Sequence, residues 1–410
     1  MMKNFLRSCL RAMVLLWLMG YGGTMASASE MLVPEIETPT PVGSRQHQLN
    51  QTAQGQLLLS WVERGERGGQ LRFAVLETGG WSTPQTVVAV RRKLAAAPVV
   101  LGLRNGALAA AWIVSTEQED DPFGAELYLS RSTDGGGSWS KPLQPYSGEA
   151  RIYDAQMSLA ALDDGRLALV WTDQRHKPER YQLMAALLDT MGKPGPEIVL
   201  DKDVCSCCNT RTIAQGDTLW TAYRDHRGGE VRDIALVRWS SAGPSQANIV
   251  HDDQWVIEGC PSNGPAVARR DGLTMVSWFT AADGVGRVRT AFWPDGENHF
   301  GKPIEVDTHA NGYVNALLLE DGSALVIWRG RAGLTEELRL AQVRQDGTVD
   351  HRTTLYRGDF PRWPNRHLSL TQVGDSVYVA WLDLEQAQIR LVKRPAPSAA
   401  AMAGDVVKAE

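Results

Sequence analysis

The chain has 410 residues, 43% of them hydrophobic, and a net charge of −5. That sign argues against nucleic acid and anionic membrane surfaces as principal partners. The length would ordinarily be shared between two or three domains, yet no linker, charge block or change of composition divides residues 45 to 394.

The first residues read as an export signal. Lys3, Arg7 and Arg11 precede the apolar run Ala12 to Met19, and Ala26-Ser27-Ala28 supplies small residues at a cleavage spacing. The run is too short, and too soon followed by Gly20, Gly22 and Gly23, for a stable membrane span. Residues 1–28 are therefore expected to be removed from a periplasmic or secreted protein. The charge then passes from −5 to −8, because Lys3, Arg7 and Arg11 leave and no acid does.

One pattern recurs from there on: a Gly or Asp turn, then alternating apolar positions ending in an aromatic. The aromatics are Trp61, Trp112, Trp171, Tyr223, Trp278, Trp328 and Trp381, at gaps of 51, 59, 52, 55, 50 and 53 residues. Each run has strand character, and glycine marks the turn entering it. In the third copy the strands are Met157 to Leu162, Leu167 to Trp171, Tyr181 to Leu188 and Pro196 to Leu200. Four strands per copy, called A to D, and no sustained helical period predict an all-β fold. Seven such units at this period predict a β-propeller of seven four-stranded blades, with the aromatics packed between blades. Six blades with one irregular copy is the alternative. The seventh copy lacks a fourth strand, so Met31 to Val42 is expected to complete it and close the ring. The propeller is placed at 29–394, and the small, polar tail 395–410 reads as disordered.

Between strands C and D of the second unit, Ser132, Asp134, Gly136 and Trp139 occupy the fixed positions of the Asp-box pattern S-x-D-x-G-x-x-W. The chain thereby resembles the bacterial sialidase-like (BNR-repeat) propellers. The resemblance implies a structural role for this box, away from the catalytic face, and a glycosidase of sialidase type as one activity. Sialidases also carry an Arg triad, a Tyr–Glu nucleophile and an Arg-Ile-Pro-like start. Here Arg45 is followed by Gln46-His47, and no Glu is paired by sequence with Tyr153, Tyr223 or Tyr313. No catalytic residue is carried over.

The long polar connections are B–C and D–A, which open on one face, so a site is expected there. Cys205 lies 18 residues before Tyr223 and Cys260 lies 18 before Trp278. Cys205, Cys207, Cys208 and Cys260 should therefore gather on one sector. Two readings stay open. Disulfides, with Cys205–Cys208 and Cys207–Cys260 favoured because a vicinal bridge is strained, suit an exported chain. A thiolate site for copper or zinc is the other. In the adjoining loop, Arg224, Asp225, Arg232 and Asp233 either brace each other or hold a carboxylate or phosphate. Arg175, His176 and Arg180 are placed to add to such a clamp, and Arg362 and Arg366 lie across the ring.

Three functions follow as expectations. The chain binds a small anionic or glycan-like ligand on its loop face, or it is an exo-sialidase-type hydrolase, or its cysteines serve a metal-binding or redox partner role. The fold alone does not choose among them.

Overall fold

The computed structural model describes residues 29–397, apart from 66–67, 96–97, 117–123, 149, 154–155, 176–179 and 362–366. The expected signal segment 1–28, most of the expected tail, His176, Arg362 and Arg366 lie outside the described residues. Among the described residues no helix is long and apolar enough to cross a membrane.

Seven antiparallel sheets are arranged as the blades of a propeller. Strands A of successive blades are Arg45–Gln51, Val99–Gly102, Met157–Ala161, Arg211–Gln215, Ala266–Arg270, Ala310–Leu318 and Ser369–Val373. Each touches strand A of the next blade, and the last touches the first, so the innermost strands form a closed ring. The repeated aromatics fall on strands B and are essentially inaccessible, none more than 1% exposed. They fill the spaces between sheets, as expected. A large aromatic is suited to this position because it buries more apolar surface than an aliphatic side chain.

An indole also carries an N–H that must be satisfied when buried. The chain meets this need with carboxylates. Trp61 donates to Glu63 at 2.8 Å, Trp171 to Asp173 at 3.3 Å, Trp278 to Asp253 at 2.7 Å and Trp328 to Asp307 at 2.6 Å. The acids are in turn held by arginines. Arg72, Arg289 and Arg339 stand directly across the B–C ladder from Trp61, Trp278 and Trp328. They pair with Glu63, Asp253 and Asp307 respectively. Each buried charge thus has an opposite charge and a hydrogen bond, the condition for burying it at tolerable cost.

The N-terminal segment closes the ring by a split path. Glu30 and Met31 pair with Arg357 and Tyr356, extending the sixth sheet at its outer edge. Glu35 then bridges Val392 on the last strand, and the Ile36 amide donates to Leu391 O at 2.8 Å. The seventh blade is thus completed by a short bridge within the expected span 31–42. The last strand continues to Pro395, into what was read as tail, and the Ala396 amide reaches Asp375 O at 2.8 Å.

The Asp box forms the expected turn. Asp134 accepts from the Ser138 amide and hydroxyl and from Ser132, and Ser132 Oγ accepts from the Gly136 amide. These bonds, first that from the Ser138 hydroxyl, hold the carboxyl well below its usual range. Trp139 meets Phe73 of blade 1 edge to face at 6.2 Å. A Cβ on Gly136 would fall 2.3 Å from the Phe73 ring, so only glycine allows this approach. As a C–D connection, the box lies on the face opposite the D–A loops.

Two stability predictions follow from the core and the seam. Trp278→Ala should cost about 3–5 kcal/mol, read as a lower urea midpoint, because it empties an inter-blade space and strands the Asp253–Arg289 pair. At the seam between blades 1 and 7, fully enclosed His47 donates from Nε2 to Ala380 O at 3.0 Å. Burial lowers its pKa to about 4, and the hydrogen bond offsets this only in part. An unfolded imidazole titrates near pH ~6.5, so the stability held by the neutral ring is present above that value. It is lost as pH falls through about 4. His47→Gln should flatten the decline of thermal stability across this window.

Candidate functional site

The repeat is most altered on the face of the D–A and B–C connections, between blades 3, 4 and 5. Strand D of blade 3, Pro194–Val204, delivers Cys205, and the chain turns through 206–210 into strand A of blade 4 at Arg211. The matching connection of the next blade carries Cys260 to Gly264. The two loops are in close contact. Gly264 donates its amide to Asn209 Oδ1 at 3.2 Å, and a Cβ on it would lie 1.9 Å from Asn209 O.

The four cysteines gather as expected, and no sulfur–sulfur bond joins them in this structure. Cys205 Sγ lies 3.3 Å from Cys208 Sγ and 3.7 Å from Cys207 Sγ. The three sulfurs are within 4.8 Å of one another. Cys207 is the hub: hydrogen bonds from Cys205, Cys208, Cys260 and Ser262 hold its thiol far below the ordinary range. The others move the opposite way. Cys205 and Cys260 are raised first by their bonds to Cys207, and Cys208 first by burial. Arg232 donates to Cys205 Sγ at 3.4 Å and pairs with Glu230 at 2.6 Å.

In the neighbouring Arg–Asp loop the contacts match the bracing alternative of the two readings. Arg224 is 1% exposed and spends its guanidinium on three carbonyls: Asn263 O at 2.9 Å, Arg232 O at 2.6 Å and Phe279 O at 2.8 Å. It also stacks 4.8 Å from the Trp255 ring. Asp233 is equally buried, accepts from the Gln254 and Trp255 amides at 3.1 Å, and pairs with Arg227. These two residues brace blade 4 against blade 5, in keeping with the bracing reading of the loop. Asp225 accepts from the His226 amide, and burial, then the nearby Asp201 charge, pushes its carboxyl up to about 6. Arg175 is held by Asp173 and Glu197, and Arg180 pairs with Asp203.

The residue that sequence reasoning missed is Arg211. The strand register defines one level of the central channel, set by the strand A residue opposite the position before each repeated aromatic. That level holds Gln48, Val99, Ser158, Arg211, Ala266, Asn315 and Ser369. All seven line a cavity of about 230 Å³. Gln156, Asn209, Thr210 and His367, which precede the strands, line it too, so the cavity lies toward the D–A face. Arg211 is the one Lys or Arg among the described lining residues, which include no Asp or Glu. Burial lowers its pKa with no carboxylate to offset the effect. Among the described residues no ion pair or hydrogen bond occupies its guanidinium. Its signal in the sequence was a basic residue where the other copies have small, apolar or amide side chains.

No family model and no curated protein matches the sequence. Solved structures do match in fold. The lectin BP39L from Burkholderia pseudomallei superposes at TM-score 0.62 with 13% identity, over 87% of this chain and 98% of that chain. A PL25 ulvan lyase, solved bound to -[GlcA(1-4)Rha3S]-, superposes at TM-score 0.56 with 12% identity, over 90% and 99% of the two chains. The NanB sialidase of Streptococcus pneumoniae gives TM-score 0.46 with 11% identity, over 89% and 70%, too low to bear on the argument. These likenesses establish the propeller fold and nothing finer.

The two arginines make opposite predictions for stability. Arg224→Met should cost more than about 3 kcal/mol, since three buried carbonyls lose a charged donor. Arg211→Met should leave the thermal midpoint unchanged or raise it. Paired melting curves of the two variants check this.

Proposed function

We propose that this chain is an exported binding protein that takes an anionic sugar, of the uronate type, at the D–A entrance of its central channel. The observation that carries the reading is Arg211: a half-buried guanidinium with no carboxylate partner among the described residues, in a cavity of amides and hydroxyls. A guanidinium offers a planar fork that matches a carboxylate or sulfate, and partial removal from water strengthens the pairing. Gln48, Asn209, Asn315, Ser158 and Ser369 supply donors and acceptors of the kind that sugar hydroxyls pair with. Glycoside hydrolysis ordinarily needs two carboxyl groups flanking the bond. The described lining contains none, which supports binding rather than cleavage. Two propellers of this fold are, by their descriptions, a lectin and a polysaccharide lyase, which accords with the reading without carrying it.

Calorimetric titration with glucuronate, N-acetylneuraminate and neutral glucose tests the proposal. The acidic sugars should bind and glucose should not. Arg211→Gln should weaken binding by roughly 10- to 100-fold, the worth of one charge-assisted hydrogen-bonded pair. Equal binding of glucose, indifference to Arg211→Gln, or no binding of any acidic sugar would count against it.

A further inference from the structure

We propose that Cys205, Cys207 and Cys208, with Cys260 beside them, form a binding site for one thiophilic d10 cation, Cu(I) or Zn(II). The geometry comes first. Three sulfurs from a four-residue stretch already lie within 4.8 Å of one another, without rearrangement of the fold. Sulfurs bound at ~2.3 Å to a common cation stand just under ~4 Å apart, and the Cys205–Cys207 separation is 3.7 Å. Cys260, from the next blade, reaches Cys207 and offers a fourth donor.

The donor set decides the class of cation. It is entirely sulfur, which selects soft metals over calcium, magnesium or manganese. The imidazole of the neighbouring loop, His226, is engaged by Asp203 at 2.8 Å and Glu230 at 3.1 Å. Charge supports the same assignment. Three thiolates around Cu(I), or four around Zn(II), leave two net negative charges. Arg232 donates directly to Cys205, and the charge of the fixed Arg224 guanidinium also acts on Cys205. Each ligand thiol gives its proton to solvent as its sulfur–metal bond forms, and the cation keeps its oxidation state.

The placement matters too. Cys208 is separated from Arg211 by three peptide bonds (208–209, 209–210 and 210–211), and Asn209, between them, carries the contact to Gly264. A bound cation would lock the two D–A loops at the edge of the channel entrance.

The test uses the full chain, reduced and handled without oxygen. Cu(I) is titrated against bicinchoninate, and Zn(II) against a pyridylazo dye. One equivalent should be withheld from the chelator, with a thiolate-to-metal band in the ultraviolet and loss of thiol reactivity. Cys207→Ser should weaken uptake at least 100-fold. Because Cys208 and Cys205 are buried and their variants risk misfolding, exposed Cys260 provides the second variant. Cys260→Ser should spare Cu(I), for which three sulfurs suffice, and impair Zn(II), which requires four. Arg211→Gln should leave uptake unchanged, which separates failure here from failure of the sugar site. The proposal is overturned if the reduced protein withholds no more of either metal than a variant with all four cysteines changed to serine. It is equally overturned if the chain is isolated with both disulfides and, once reduced, takes up no metal.

Discussion

The structure depends on one buried contact: an indole N–H held by a carboxylate that an arginine also holds. A propeller blade cannot bury both faces alone, so its stability comes from what fills the spaces between blades. Tryptophan fills that space best but brings a donor with it. The acids at 63, 173, 253 and 307 turn this cost into an anchor that fixes each ring and ties strand B to strand C or to the incoming loop. The remaining blades vary the theme. Trp112 stacks on Tyr128 at 6.1 Å, and Tyr223 gives its hydroxyl to Asp201 at 2.5 Å. In the last blade, Asp383 keeps Arg390 while the Trp381 N–H has no partner among the described residues.

With four blades anchored in this way and the aromatics of the other three equally buried, the chain is free to vary at the loop face and along the ring of innermost strands. Both departures that bear on function are of this kind. The thiol cluster occupies two successive D–A loops. Arg211 replaces a small, apolar or amide residue at one level of the channel. Arg224 and Asp233 show the converse. They look like binding residues and instead hold the blade 4–blade 5 junction rigid, which is what lets a cluster of four thiols and an unpaired guanidinium keep their positions beside it.

Much of this was legible in the sequence because it is periodic. Aromatics spaced 50 to 59 residues apart gave the blade count, and matched offsets before Tyr223 and Trp278 gave the meeting of the cysteines. What was not legible is whatever lacks a period. The acids that hold the indoles come two residues after the aromatic at Glu63 and Asp173 but from the preceding connection at Asp253 and Asp307. Arg224 reads as a clamp because its true partners, the carbonyls of Asn263 and Phe279, lie 39 and 55 residues away. Arg211 becomes visible only when strand register sets seven residues at one level. The N-terminal segment was read as completing the last blade alone, yet it divides between the edges of two sheets on either side of a bend at residue 33.

The central claim is that function resides at Arg211, the one Lys or Arg among the described residues lining the channel cavity, rather than in the Arg–Asp loop. A crystal structure of the chain grown with glucuronate tests it most directly. The account predicts the sugar in the channel cavity with its carboxylate on the Arg211 guanidinium, and Arg224 still bound to its three carbonyls. Glucuronate seated elsewhere, with Arg211 untouched, would contradict it.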